Sequence, residues 1–247
     1  MDRIAVELVP RSENELREEL LLLKNSRFRV DRVNIPDLLR CDLRSWEGAA
    51  VAREFFPVMP HIRAMDIDLE KPLPMASFLR DHDIREVLVI EGDPPQDMNH
   101  VVYPTVTTDV IRKFREEMPE VKVYAGIDQY RGSMRQEFYR VQRKRQAGAA
   151  GFFTQPFFDM RFLMMYAEML DGIPVCWGAS PVTSKRSKSY WELKNSVVFP
   201  KDFEPTLEWS VKFARRALGF AQRSGSSIYL MPIKSNVTEY LSGILGR

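Results

Sequence analysis

The sequence predicts an α/β protein that folds as a single closed (β/α)8 barrel over residues 1–247. Along the whole chain, short apolar runs alternate with longer segments of helical periodicity, and we count eight such pairs. Runs that are apolar almost without interruption are typical of parallel strands covered on both faces. Eight strand–helix units in about 250 residues also match the usual size of this barrel.

An open, doubly wound parallel sheet is the structural alternative. Such a sheet usually carries a glycine-rich turn after its first strand. The segment VELVPRSENEL, where the first predicted strand ends, contains no GxGxxG. No linker, low-complexity stretch or internal repeat divides the chain. We therefore expect one barrel domain.

The first half of the chain supplies four of the predicted strands. Its first helix begins with Ser12 and Glu15, which form a capping box ahead of leucines at helical spacing. The clearest strand is EVLVIEGD, which is rich in β-branched residues and ends at Gly92. The strands are predicted at 4–10, 28–36, 59–67 and 86–93, and the helices at 12–26, 46–56, 75–83 and 107–118.

The second half of the chain contains the segment AGAAGFFTQPFFD, which raises the question of a ligand site. A charged helical run gives way to small residues and then to an aromatic strand, whose tip carries Thr154 and Gln155. An amide at the tip of a buried strand indicates either a structural cap or a ligand site. The strands here are predicted at 121–128, 151–157, 173–180 and 226–233, and the helices at 132–147, 159–170, 186–195, 205–223 and 236–246.

The composition narrows the classes of function. The net charge of +2 is too small to indicate electrostatic binding to nucleic acid or to a membrane surface. No apolar run reaches the length of a membrane span. Cys41 and Cys176, the two cysteines, lie far apart, which argues against disulfides and a zinc site and fits a reducing compartment. We expect a cytoplasmic protein that binds no metal. The sequence leaves open whether it forms a homo-oligomer.

Polar residues gather where the predicted strands end, and barrel enzymes draw their catalytic groups from those ends. Asp93 and Asp128 fit a helix cap equally well, and His61 alone is more often structural. Glu7 is the stronger candidate, because an unpaired carboxylate inside an apolar strand is costly. The polar set comprises Glu7, His61, Asp66, Glu91, Asp93, Asp128, Thr154, Gln155 and Ser180.

Two basic clusters have open interpretations. On composition, the run from Arg140 to Arg145 is a solvated helix face, yet Arg143 and Lys144 are also placed to reach phosphates across the mouth of the barrel. Lys185, Arg186 and Lys188 follow the seventh strand, where barrel loops often bind phosphate. Composition does not choose between these interpretations.

Taken in order, segments covering almost the whole chain resemble the methylenetetrahydrofolate reductase family. VELVP resembles a first strand with a glutamate ahead of prolines, and HIRAMD has a histidine and an aspartate at the family spacing. KRQAGAAGFFTQPFFD resembles the most specific motif, an alanine-glycine-alanine turn followed by threonine, glutamine, aromatics and aspartate. VIEGDPP, GASPVTS and IYLMPIKSNVTEYL resemble the family's fourth strand, seventh-strand loop and last strand with its helix.

The resemblance implies reduction of 5,10-methylenetetrahydrofolate to 5-methyltetrahydrofolate, with hydride passing from NAD(P)H through FAD. It implies that Glu7 protonates the leaving nitrogen as the five-membered ring opens. It also implies that Asp93 favours the cationic iminium and that Gln155 orients the pterin. Lys185 stands where a family aromatic packs on the folate. The positions that match the FAD contacts are His61, Tyr124, Arg143 and Lys144.

Two departures from the family pattern bear on the flavin. Glu91 stands where the family has an arginine, and Asp128 where it has a histidine. Both changes place acid near the position of a diphosphate. The sequence therefore leaves two alternatives open beside the flavin enzyme: direct hydride transfer from NAD(P)H, and a folate-binding methyl-transfer partner subunit without reductase activity.

Overall fold

The computed structural model describes residues 3–95 and 100–246. Within these residues eight parallel strands pair in chain order, and the last pairs with the first, so the sheet closes into a barrel. This confirms the predicted (β/α)8 fold. The strands are β1 Ile4–Glu7, β2 Arg32–Ile35, β3 Val58–Arg63, β4 Glu86–Ile90, β5 Lys122–Ile127, β6 Phe152–Pro156, β7 Val175–Ala179 and β8 Ser227–Leu230.

Each strand is followed by at least one helix, and β7 is followed by two. A short 3-10 turn, Ala64–Asp66, continues β3. The helices are α1 Glu13–Asn25, α2 Ser45–Arg53, α3 Ala76–Asp81, α4 Thr107–Glu117, α5 Met134–Ala147, α6 Met160–Met169, α7 Lys185–Asn195, α8 Leu207–Ser224 and α9 Val237–Leu245. None of these helices is both long and apolar enough to cross a membrane.

The helix ends follow local chemistry. Of the capping box predicted for α1, the structure shows the half made by Ser12, whose hydroxyl accepts a hydrogen bond from the Glu15 amide at 3.3 Å. Gly148 ends α5 with a φ of 119°, where a Cβ atom would lie 2.2 Å from the Cδ of Arg115. Only glycine fits this left-handed position. The turn at Gly148 then leads directly into β6.

Side chains alternate between two cores. Outward-facing residues of the strands pack against the helices and form the larger core, whereas inward-facing residues fill the barrel. Each large apolar side chain that is fully buried stabilises the fold by about 1.5–3 kcal/mol. Because the interior is filled, it leaves no room for a ligand inside the barrel. In barrels of this type the functional site lies at the carboxyl ends of the strands. The filling residues are Ala5, Met59, Leu88, Tyr124, Phe153, Cys176, Tyr229 and Met231.

A satellite aromatic cluster seats α7 beside the mouth. Phe158, in the loop after β6, packs on Trp191 of α7 with ring centroids 5.5 Å apart, and on Phe199 at 4.8 Å. Phe203 stacks on Phe199 at 4.0 Å and meets the edge of Trp209 at the start of α8. This cluster fixes the segment between β7 and β8, which carries Lys185.

Candidate active site

Glu7 ends β1 and is the strongest acid candidate of the mouth. Its side chain faces the barrel interior, and its Oε2 atom accepts a hydrogen bond from the hydroxyl of Tyr229 on β8. Burial raises the pKa of Glu7 from 4.5 to about 7, and the Tyr229 hydrogen bond offsets part of that rise. Near neutral pH a large fraction of this carboxyl therefore holds a proton that it can donate.

Uncharged polar groups surround the carboxyl of Glu7. The Tyr229 hydroxyl lies 3.4 Å from Nε2 of His61, and the amide nitrogen of Asn34 lies 3.3 Å from the same atom. Burial lowers the pKa of His61 from 6.5 to about 3, so its ring stays neutral at physiological pH. His61 therefore supplies no positive charge that would draw the proton from Glu7.

Gln155 lies near the end of β6, where the strand is irregular. The β6–β7 register shifts between Phe153 and Pro156, and Gln155 is exposed although both neighbours are buried. A Cβ atom on Gly178 would lie 2.7 Å from the carbonyl oxygens of Thr154 and Gln155, so only glycine permits this approach. The hydroxyl of Thr154 accepts the Gly178 amide at 2.8 Å. Thr154 therefore joins the ends of β6 and β7, whereas the side chain of Gln155 is exposed.

The backbone at Gln155 is held by a pair of residues, Gln129 and Tyr130, that follow β5. Gln129 is 2% exposed, and its amide donates to the carbonyl of Gln155 at 2.7 Å and to that of Pro156 at 3.3 Å. The hydroxyl of Tyr130 donates to the Pro156 carbonyl at 2.9 Å. Neither residue was predicted from the sequence as part of the site. A polar pair directly after a strand was the available signal.

Asp93 lies in the loop after β4, at the same end of the barrel as Glu7 and Gln155. Its side chain is exposed, and its backbone carbonyl accepts a hydrogen bond from Arg63 at 2.8 Å. Arg63 ends β3 and is itself buried, with Nε 3.0 Å from Asp66. Arg63 was not predicted as a site residue. It lies two positions after His61, so it shares the inward-facing register.

Arg44 ties the loops on this side of the mouth together. Its guanidinium binds both oxygens of Asp37, at 3.0 and 2.7 Å, and reaches Asp66 at 3.0 Å. Bidentate pairing of this kind fixes geometry as well as charge. The loops after β2, β3 and β4 are therefore joined by Arg44, Asp66 and Arg63.

Glu91 and Asp128, the two acidic residues that depart from the family pattern, both pair with the same arginine. Arg131 pairs with Glu91 and, through Nε, with Asp128 at 3.2 Å. One guanidinium thus faces two carboxylates, and this edge keeps a formal charge of −1. An incoming diphosphate would meet an arginine that is already engaged.

Two of the four residues predicted to hold FAD lie away from the mouth. The Tyr124 hydroxyl donates to Glu86 at 3.3 Å, and Glu86 is the first residue of β4, at the amino-terminal end of the barrel. Arg143 is exposed in the last turns of α5, where that helix approaches the amino-terminal end of β6. Neither placement supports the predicted contact with a cofactor in the mouth.

The other two predicted flavin contacts are engaged by the protein. Lys144 donates from Nζ to the carbonyl of Gly126 at 2.6 Å, and burial lowers the pKa of its ammonium group. His61 lies inside the barrel, 5% exposed, on the side of Tyr229. The four residues do not meet at one place, so the residues present do not fit a flavin diphosphate.

Lys185 is the first residue of α7 and is exposed. Ser184 caps that helix by accepting the Ser187 amide at 3.1 Å. Lys185 therefore stands on a fixed element beside the mouth, with its charge directed to solvent. Within residues 3–95 and 100–246, no group of histidine, cysteine or acidic side chains has the arrangement of a metal site.

Sequence comparison matches the chain to one family. The model of the methylenetetrahydrofolate reductase family matches residues 48–212, about two thirds of the chain. A curated relative, the 5,10-methylenetetrahydrofolate reductase of Buchnera aphidicola subsp. Schizaphis graminum (strain Sg), is 23% identical over 110 residues. That match covers 44% of this chain and 38% of the relative, so it spans less than half of either.

Solved structures share the fold at low sequence identity. An uncharacterized protein from Clostridium thermocellum that binds two copies of 5-methyl-5,6,7,8-tetrahydrofolic acid is 12% identical, with a TM-score of 0.66 over 99% of this chain and 94% of its own. A 2,3-dimethylmalate lyase of the PEP mutase/isocitrate lyase superfamily is 11% identical, with a TM-score of 0.58 over 94% and 75% of the two chains. These likenesses establish the barrel. The family model, which matches more than half of the chain, shows that the chain belongs to the methylenetetrahydrofolate reductase family.

Proposed function

We propose that this chain reduces 5,10-methylenetetrahydrofolate to 5-methyltetrahydrofolate with hydride from NAD(P)H. The observation that carries the proposal is Glu7, a half-buried carboxyl with a pKa near 7 at the same mouth as the exposed amide of Gln155. Membership of the family supports this reaction class. The Clostridium thermocellum protein, which binds a methylated tetrahydrofolate, supports the ligand class.

Glu7 supplies the proton of the first step. The five-membered ring of the substrate opens when the bond between the bridging carbon and one nitrogen breaks. The electron pair goes to the leaving nitrogen, which takes the proton of Glu7, and a cationic iminium remains on the other nitrogen. An acid with a pKa near the working pH is well matched to this transfer.

Gln155 and Asp93 act on the substrate without exchanging protons. An amide offers a donor and an acceptor together, which matches the edge of a pterin, so Gln155 fixes the ring relative to Glu7. The Asp93 carboxylate places negative charge at the mouth, where it favours formation of the iminium. Hydride then adds to the iminium carbon and gives the methyl group.

The placement of the predicted flavin contacts favours direct transfer of hydride from the nicotinamide. Tyr124 and Arg143 lie away from the mouth, and Arg131 is engaged by Glu91 and Asp128. We therefore propose that the nicotinamide stacks over the pterin and passes hydride to the iminium carbon without a resident FAD. A flavin-mediated route is the alternative outcome of the test.

The test follows the fate of a deuterium label. The purified protein is scanned for flavin absorbance, then given methylenetetrahydrofolate and NADH or NADPH deuterated at the transferred position. A colourless protein that carries the label into the methyl group supports direct transfer. Loss of the label to water would indicate a reduced flavin, whose N5 hydrogen exchanges with solvent. Folate binding without oxidation of either nicotinamide would contradict the reductase and leave the partner-subunit alternative.

A further inference from the structure

We propose that Tyr229 is a positioning residue for Glu7, whose carboxyl it holds so that one oxygen is bound and the other delivers the proton. This inference rests on the proposed function, because it concerns how the acid is presented. The hydroxyl of Tyr229 donates to Oε2 of Glu7. The other oxygen, Oε1, has no hydrogen-bond partner within residues 3–95 and 100–246 and is not sealed from solvent. Oε1 is therefore the atom from which a proton can reach the substrate.

The ring of Tyr229 is held rigidly. The residue is 3% exposed and faces the barrel interior on β8, whose register places it opposite Ala5 of β1. Its ring meets Phe153 edge-on, with centroids 5.1 Å apart and an interplanar angle of 85°, and meets His61 edge-on at 6.4 Å. A ring packed on two sides leaves the hydroxyl one location, which lies against Glu7.

The other groups that face this pair do not change charge near neutral pH. His61 on β3 is neutral because burial lowers its pKa to about 3. Cys176 on β7 shares the interior layer, and burial raises the pKa of its thiol to about 11. Burial and the neighbouring Glu7 raise the pKa of Tyr229 well above its ordinary value. Glu7 is therefore the group of this cluster that titrates near pH 7.

The hydrogen bond from Tyr229 shifts the pKa of Glu7 in a predictable direction. A hydroxyl that donates to a carboxylate stabilises the charged form, so its removal raises the pKa of the acid. Because the reaction needs protonated Glu7, activity falls as pH rises through that pKa. In Tyr229→Phe the alkaline limb of the pH–rate profile should move upward by about one pH unit. A tyrosine that only filled space would leave the limb unchanged.

The first experiment measures kcat and KM across pH for wild type and Tyr229→Phe. We expect kcat to fall about tenfold, because the carboxyl loses its fixed orientation, and KM for the folate to stay within about twofold. Tyr240→Phe is the matched control, since Tyr240 is a fully buried tyrosine on α9 whose hydroxyl has no partner among the described residues. Equal effects of the two substitutions would overturn the proposal.

A double-mutant cycle tests whether Tyr229 acts through Glu7. In the background of Glu7→Gln, which lacks the proton, Tyr229→Phe should lower kcat by less than about twofold further. An independent tenfold loss in that background would show that Tyr229 acts by another route. Circular dichroism melting confirms that each variant is folded before its rate is interpreted.

A third measurement separates this proposal from the reductase function. The titration of Glu7 is followed by infrared spectroscopy of the carboxyl stretch in the substrate-free protein, with Glu7→Gln identifying its band. An upward shift of that titration in Tyr229→Phe supports the pairing even if no folate is reduced. An unchanged titration would overturn the pairing even in an active reductase.

Discussion

At the scale of single residues, burial sets the protonation states of the site. The same loss of solvent raises the pKa of Glu7 to about 7 and lowers that of His61 to about 3, because in each case the charged form is disfavoured. Near pH 7, therefore, His61 is neutral and about half of the Glu7 carboxyls are protonated. Their effects on stability have opposite dependence on pH, and this gives two predictions.

The first prediction concerns Glu7→Gln. Turnover should fall by at least about 100-fold, because the proton donor is gone, while the amide oxygen still accepts from Tyr229. The folded pKa of Glu7 lies above the unfolded value of 4.5, so its ionisation lowers stability as pH rises from 4.5 through 7. Relative to wild type, the variant should gain up to about 3 kcal/mol at pH 8 and almost none at pH 4. Urea denaturation at both pH values measures this, and a gain independent of pH would contradict it.

The second prediction concerns His61→Gln. This substitution removes a dependence of stability on pH whose sign is opposite to that of Glu7. The folded pKa of His61 lies below the unfolded value of 6.5, so its contribution is present above pH 6.5 and is lost as pH falls toward 3. In wild type, the stability lost in acid through His61 offsets the stability gained in acid through Glu7. The variant keeps only the pH dependence that comes from Glu7. Unfolding free energies at pH 8 and pH 4.5 should therefore show His61→Gln gaining stability in acid. A variant that loses stability in acid as steeply as Glu7→Gln would contradict the assignment.

At the scale of elements, the sequence predicted which segments form strands better than where they end. Strand β2 was predicted over 28–36 but spans Arg32–Ile35, because Phe28 and Val30 pack on the core from the preceding loop. Apolar loop residues and strand residues look alike in a sequence. Strand β8 likewise ends at Leu230 rather than 233, although Met231 and Ile233 remain in the interior packing.

The candidate site was predictable where a polar residue interrupts an apolar strand. Glu7 and Gln155 stand out in this way, and the structure places both at one mouth. Tyr229 was missed because an aromatic residue is ordinary in a strand, and only its register across β1 and β8 brings it to Glu7. Gln129 and Arg131 were missed because Gln129 binds the end of β6 and Arg131 pairs with Glu91 after β4, and both partners are distant in the sequence.

The third prediction belongs to the junction of β6 and β7. Gly178→Ala would place a Cβ atom 2.7 Å from two carbonyl oxygens, so the end of β6 must shift and Gln155 must move. We expect KM for the folate to rise at least about fivefold and stability to fall by roughly 1–3 kcal/mol. Gly126→Ala on β5 is the control, because its Cβ would meet Ile90 at an ordinary 3.4 Å. Equal kinetics in the two variants would show that this junction does not position the amide.

At the scale of the whole molecule, closure of the barrel completes the site. Glu7 and Tyr229 are 222 positions apart, and both lie outside the 48–212 range that matches the family model. They meet because β8 pairs with β1. The pair of Glu7 and Tyr229 therefore depends on the complete ring of strands, whereas Gln155 and its supports come from consecutive units β5 to β7.

The charge at the mouth bears on the choice of hydride donor and carries the last prediction. Arg131 is shared between Glu91 and Asp128, and a carboxylate about 4 Å from a phosphate costs up to about 4 kcal/mol at an effective dielectric near 20. The double variant Glu91→Arg with Asp128→His restores the residues that the family resemblance implies and releases Arg131. It should bind FAD at least about tenfold more tightly than wild type in a fluorescence titration.

Glu18→Arg is the control for net charge, because Glu18 is exposed on α1 and takes the same +2 change of charge as the Glu91→Arg part of the double variant. A similar gain in FAD affinity for the control would show that only net charge matters. Submicromolar FAD binding by the wild-type protein would contradict the role given to the two carboxylates, since the acidic edge would then be compatible with a diphosphate. Weak binding by wild type and tight binding by the double variant would show that two side chains separate a flavin site from a mouth suited to direct hydride transfer.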